Sequence, residues 1–155
     1  MIGRNRRLLL SATAAALIVA GGGFAAMASN AEDAVKYRQG VFQGLKWNIG
    51  PLAAMAKGEA AFDAAEVELR AQRIASLSTT IVEGFPEGSD LVADSDALPE
   101  IWEDKATFTE KAAALGEAAT ELSSAAPSLE ADGLGPMVGA IGQACKACHD
   151  DFRAE

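Results

Sequence analysis

Both cysteines of this 155-residue chain and its only histidine fall within five adjacent positions, Cys145-Lys146-Ala147-Cys148-His149. Scattered at random, two Cys and one His would form C-x-x-C-H in only about one chain in ten thousand, so the arrangement is a signal. It also constrains the fold. In a helix, side chains at i, i+3 and i+4 share one face. Cys145 and Cys148 continue an apolar three-four stripe made by Leu134, Val138, Ile141 and Phe152, which predicts that the motif rides on the inner face of a helix.

Three further segments carry the same periodicity. The first runs from about Glu32 to Lys57, with Val35, Arg38, Phe42, Leu45, Ile49, Leu52 and Ala56 on its stripe. Gly50-Pro51 predicts a bend or a local break inside it, and Gly58 a stop. The second runs from about Asp63, an N-cap with Glu66 as its capping-box partner, to Glu83. Residues 84–99, rich in Gly, Pro and acids, predict an irregular crossover. The third runs from about Pro99 to Ala125 with Ile101, Phe108, Ala112, Leu115, Ala119 and Leu122 inward, and Pro127 closes it. The fourth, from about Leu129 or after Pro136, ends near Arg153. No segment alternates apolar and polar residues, so no sheet is expected. The expected fold is all-α, an antiparallel four-helix bundle.

The chain opens with three arginines, then an apolar run from Leu8 to about Ala20, then small residues ending in Ala26-Met27-Ala28. That order predicts a cleaved secretory signal peptide over residues 1–28, leaving one domain over 29–155 and no membrane span afterwards. Export predicts an oxidising compartment outside the cytosol. The full chain carries a net charge of −9, and the signal removes three of its 13 Lys and Arg and none of its 22 acids. So acidic a domain is repelled by nucleic acid and anionic lipid. In an oxidising compartment two neighbouring thiols do not persist unmodified; they are bridged, metallated or capped.

One group suits the spacing of Cys145, Cys148 and His149 well. Two thiols add to the two vinyl groups on the edge of one porphyrin, and the adjacent imidazole reaches the iron. C-x-x-C-H is the attachment signature of haem c. The rivals fit less well. A thioredoxin-like pair needs a βαβ setting, a zinc site takes more protein ligands than two Cys and one His, and a disulfide across two helical residues is strained and closes almost no loop. A non-haem redox disulfide stays open as a reading of another class.

At this point the chain resembles a known family. A signal peptide, four helices and C-x-x-C-H near the C-terminus resemble the class II c-type cytochromes, in particular the cytochrome c′ family. EDAVKYRQGVF (32–42) is similar to the start of that family's first helix, MAKGEAAFDAA (55–65) to its first turn, LPEIW (98–102) to the opening of its third helix and CKACHDDFR (145–153) to the end of its fourth. The resemblance covers essentially the whole chain after the signal.

The resemblance implies one covalently held haem c per chain, with His149 as its iron ligand. It implies Phe42 over the opposite, distal face of the iron, in an apolar pocket, and Arg153 beside the proximal face. Arg38, on the apolar stripe, calls for a counter-ion, and a haem propionate is the natural one; the resemblance carries Gln39 and Asp96 to the haem edge as well. Met55, Met137 and Lys57 are the other sixth-ligand candidates, and both methionines read as core fillers. Trp47 and Trp102 read as packing residues. The expected protein is a five-coordinate, high-spin haem protein that is not an enzyme. It binds NO and CO, exchanges electrons with a redox partner the sequence does not identify, and forms a homodimer. The alternative is a low-spin class II cytochrome that only carries electrons.

Overall fold

The computed structural model describes residues 21–90, 92 and 95–154. Five α-helices follow in order: α1 (Gly21–Ala56), α2 (Ala64–Ser78), α3 (Glu100–Glu103), α4 (Lys105–Ala125) and α5 (Ala131–Phe152). The four long ones form the expected antiparallel bundle. α1 packs against α2 and α5, and α4 against the same two. Among the described residues no helix is long and apolar enough to cross a membrane. Most of the expected signal, residues 1–20, lies outside the described residues, and Gly21–Ala28 continue α1.

The core is built by the predicted stripes. Leu52, Val67, Ile74, Ile101, Phe108, Leu122, Leu134 and Ile141 are almost fully buried. Each such aliphatic side chain contributes roughly 1.5–3 kcal/mol by leaving water.

The helix ends show how the sequence sets the boundaries. α1 closes in a Schellman motif: Glu59 N–H reaches the Ala54 carbonyl at 2.9 Å and Gly58 N–H the Met55 carbonyl at 3.0 Å. Gly58 adopts φ +73° there, which only glycine takes without strain. Asp63 caps α2, accepting from Ala65 and Glu66 N–H at 3.0 and 3.2 Å. Glu66 does not complete the box; its carboxylate takes the Arg70 guanidinium at 2.6 Å instead.

Four boundaries differ from the sequence reading. α1 is not broken at Pro51. Pro51 has no N–H for the Trp47 carbonyl, and Arg70 of α2 donates to that carbonyl at 3.3 Å. α2 ends at Ser78 rather than near Glu83. Hydroxyls of Ser78, Thr79 and Thr80 bond carbonyls three residues back at 2.8 Å, competing with the helical ladder, and a 3₁₀ turn, Val82–Gly84, follows. The single third helix is two, because Asp104 leaves helical geometry (φ −125°, ψ 64°) and its carboxylate accepts from Thr107 N–H to start α4 afresh. α1 includes Gly21, ahead of the expected start near Glu32. α5 begins at Ala131, close to the earlier of its two expected starts, and runs through Pro136.

The crossover between α2 and α3 is tied at both ends. Near its start, Gly84 lies against α1. Near its finish, Ala97 pairs with Arg153 in an isolated antiparallel bridge, with Leu98 N–H to the Phe152 carbonyl at 3.1 Å and Ala154 N–H to the Asp96 carbonyl at 2.8 Å.

Candidate functional site

A cavity of about 720 Å³ opens between α1, α4, α5 and the crossover, within the roughly 300–1,000 Å³ of sites that enclose a sizeable ligand. The residues expected at a haem all line it: Arg38, Gln39 and Phe42 from α1, Asp96 from the crossover, and Cys145, Cys148, His149 and Arg153 at the end of α5. The C-x-x-C-H motif and Phe42 thus stand on different walls of one chamber.

The chemistry of the α5 wall fits a haem and disfavours a bare metal ion. Both cysteines are unbridged and half-buried. Burial pushes both thiols up. Burial also pushes the His149 imidazole below its ordinary value; the Arg153 charge adds to this and Asp150 opposes it. The neutral imidazole is the form that ligates iron. Among the described residues, no three His, Cys, Asp or Glu side chains are grouped to hold a metal ion.

Arg38 is the polar centre of the opposite side. It is 97% buried, at 3% exposure. Its Nη1 donates to the Gly84 carbonyl and Ser89 Oγ, both at 3.1 Å; its Nη2 donates to the Ser89 carbonyl at 3.2 Å and Ser95 Oγ at 2.6 Å. The guanidinium lies 4.7 Å from the centroid of the Phe85 ring and 5.8 Å from that of Trp102. None of these partners is charged, and burial pulls the guanidinium below its ordinary value. A buried cation of this kind calls for an anion, and a haem carboxylate beside it would supply one.

Aromatic rings join the walls. Phe42 meets Phe85 edge-on at 6.4 Å, Phe85 meets Phe108 at 4.8 Å, and Phe108 meets Phe152 at 5.4 Å. Phe85 and Phe108 are buried core residues that also line the cavity. Lys105 fixes Phe85 by donating to its carbonyl at 2.6 Å. The sequence reading missed Phe85 because it lies in the crossover, where no period marks an inward side.

Three expectations are corrected. The α1 wall is not wholly apolar: Gln39, Gln43 and Lys46 line the cavity beside Phe42, Leu45 and Ile49. A chamber this wide takes in positions flanking the stripe as well as the stripe itself. Phe42, Leu45 and Ile49 are accordingly not sealed core; Phe42 is 38% exposed. Trp47 is 74% exposed and so does not pack within the chain, since its position falls off the inward stripe. Trp102 is half-buried and donates its indole N–H to the Pro86 carbonyl at 3.0 Å.

Met55 is buried in the core, Met137 packs against it half-buried, and neither lines the cavity; nor does Lys57.

Comparison with known proteins agrees with this geometry. The family profile described as Cytochrome C' matches residues 33–153. The curated cytochrome c' of Halomonas halodenitrificans is 40% identical over 129 residues, covering 80% of this chain and 98% of the relative. The solved cytochrome c prime from Shewanella frigidimarina superposes with a TM-score of 0.74 at 39% identity, covering 81% of this chain and 97% of that one. A nitric oxide complex of a mutant cytochrome c prime from Alcaligenes xylosoxidans gives a TM-score of 0.72 at 36% identity, covering 81% and 97%. With its bundle, its cavity and its C-x-x-C-H motif in place, the chain belongs to the cytochrome c′ family of c-type haem proteins.

Proposed function

We propose that this protein is a periplasmic haem protein with an open iron face, binding small gases, chiefly nitric oxide, and exchanging electrons. One observation carries the reading. The cavity holds the chain's single imidazole, His149, and among the described residues no methionine lines it, while Phe42, which has no donor atom, lines the α1 wall. A low-spin carrier needs a second strong ligand, and Met55 is buried in the core away from the cavity.

The residues divide the work. Cys145 and Cys148 would hold the haem by thioether bonds, and His149 would ligate its iron. The haem iron, when bound, supplies the redox couple and the gas-binding site. Arg38 ties the crossover to α1 through Gly84, Ser89 and Ser95 and would neutralise a haem carboxylate. Gln39 and Asp96 stand at the cavity rim. Arg153, one turn beyond His149, adds positive charge at the proximal side. Phe42 excludes water and presents bulk to an incoming ligand. Nitric oxide and carbon monoxide bind ferrous haem by strong covalent bonds and need less distal help than oxygen, whose binding depends on distal donors.

The nitric oxide complex of the Alcaligenes xylosoxidans relative supports this reading for a fold of the same kind. The N-terminal Arg-rich, apolar, small-residue order supports export. No residue is assigned a catalytic role, and we read the protein as a binder and carrier rather than an enzyme. Homodimer formation follows from the family resemblance.

The visible spectrum of the purified holoprotein tests the reading. A high-spin ferric and ferrous spectrum that changes on adding nitric oxide supports it. A sharp low-spin ferrous spectrum unmoved by the gas contradicts it and establishes a sixth protein ligand.

A further inference from the structure

Three ion pairs surround the end of the C-x-x-C-H motif. Lys146 pairs with Asp150, Arg153 with Asp96 and Lys111 with Asp151. The first two lie in water: the Lys146 and Arg153 side chains are 73% and 55% exposed, and pairs so exposed are well screened. Lys111 differs. Its side chain is 24% exposed, it reaches the motif from α4 rather than from α5 itself, and it lines the cavity with Cys148 and His149.

Lys111 holds the motif at two points. Its ammonium donates to the Ala147 carbonyl at 2.8 Å and pairs with the half-exposed Asp151 carboxylate at 2.8 Å. Ala147 stands two residues before His149 and Asp151 two residues after it, so the two contacts bracket the imidazole. Ala147 also lies between the two cysteines. One cation on a neighbouring helix therefore fixes both sides of the turn that carries every haem-directed group of α5. The arrangement also fixes a pair of opposite charges there, since lysine and aspartate are both ionised at neutral pH by a wide margin.

We propose that Lys111 is a positioning residue whose ion pair with Asp151 sets the reduction potential of the bound haem: it clamps the motif from α4 and keeps the charge beside His149 balanced. The inference deepens the haem reading above and rests on it. Reduction adds one electron, delivered by a one-electron donor, and lowers the charge at the iron by one. A fixed cation nearby favours that state and a fixed anion opposes it. No electron resides on Lys111 or Asp151, and no bond forms or breaks.

The test is a spectroelectrochemical titration of the holoprotein at neutral pH in wild type, Lys111→Gln, Asp151→Asn, the double variant and Lys111→Arg, with urea unfolding alongside. Lys111→Gln removes the cation and leaves Asp151 unpaired. At the wild-type midpoint its ferrous-to-ferric ratio should fall by about threefold. Asp151→Asn keeps the Lys111 bond to Ala147 and leaves the cation unbalanced, so the ratio should rise by a similar factor. The double variant, neutral again, should lie near wild type, and Lys111→Arg, which keeps the charge and can donate to both partners, should too. Added salt should shrink both single-variant shifts. Urea midpoints of the two single variants should instead move the same way, downward, because each loses the same pair.

Opposite shifts of the two single variants support the proposal, because a clamp that acted only through structure would move both potentials in one direction. Shifts of the same sign, or none, overturn it. If Lys111→Gln fails to fold, Asp151→Asn decides alone: a raised potential supports the proposal and an unchanged or lowered one overturns it. Haem that is attached but has one potential in all five proteins sinks the proposal and leaves the haem reading standing; a purified protein without covalent haem sinks both.

Discussion

Arg153 Nη2 lies 3.2 Å from Asp96 Oδ2, at the point where the crossover backbone pairs with the end of α5. Arg153, one turn past His149, is thus strapped to the segment that Arg38 holds from the other side through Ser95. The crossover therefore ties the wall carrying Phe42 to the wall carrying His149.

Asp96→Asn tests how much of that strap is ionic. Both side chains are more than half exposed, and exposed pairs contribute only about 0.2–1 kcal/mol. The two backbone bonds remain. The expected result is a stability loss within that range by urea unfolding, with Leu98 and Ala154 amides still protected from exchange. A loss of several kcal/mol would mean that the ion pair, not the backbone, holds the strap.

Arg38→Met should be far more costly. It removes four hydrogen bonds and leaves the Gly84 and Ser89 carbonyls without their donor. Bonds to a charged group contribute about 1.5–3 kcal/mol each, and orphaned buried acceptors add to the loss. A destabilisation of at least about 3 kcal/mol is expected in the urea midpoint. Arg38→Lys should recover little, because one ammonium cannot span both serines.

Gly84 is required by proximity. A Cβ there would lie 2.6 Å from Arg38 Cβ and 3.2 Å from Arg38 Cα, so Gly84→Ala must push the crossover off α1. A loss of about 1–3 kcal/mol is expected, the cost of overpacking. Gly40→Ala is the control: nothing lies within 4 Å of its Cβ, and alanine in a helix interior should stabilise by about 0.5–1 kcal/mol. Thermal melts of the two variants should move in opposite directions.

Asp104 gives a pH signature. Its bonds to Thr107 hold the carboxyl below its ordinary value. A group lowered in this way stabilises the fold above its unfolded pKa, about 3.9 for Asp, and loses that contribution as pH falls through its folded value. Asp104→Ala should therefore melt below wild type near pH 6, and the gap should narrow near pH 3. A gap that stays constant with pH would show that the cap does not act through the carboxylate.

Much of this architecture is legible in the residues. The three-four stripes locate four helices because apolar burial is periodic, and Asp63 and Gly58 mark ends because capping is local chemistry. The site residues come together because one motif fixes α5 and one stripe fixes the facing wall. Other features depend on residues distant in sequence. The Trp47 carbonyl freed by Pro51 is met from α2 by Arg70, so a proline that reads as a break is spanned. The partners of Arg38 lie 46 to 57 residues away, and Phe85 reaches the cavity only because those bonds fold the crossover inward. Lys46 lines the cavity through the width of the chamber, which no sequence period marks.

On the proposed reading, His149 and Phe42 face one another across an otherwise unligated iron. Carbon monoxide association with the ferrous holoprotein, timed by stopped flow in wild type and Phe42→Ala, tests it most directly. A marked acceleration is expected in the variant, by about tenfold or more, which corresponds to at least about 1.4 kcal/mol off the barrier. Identical rates in the two proteins would contradict it and remove Phe42 from the iron's open face.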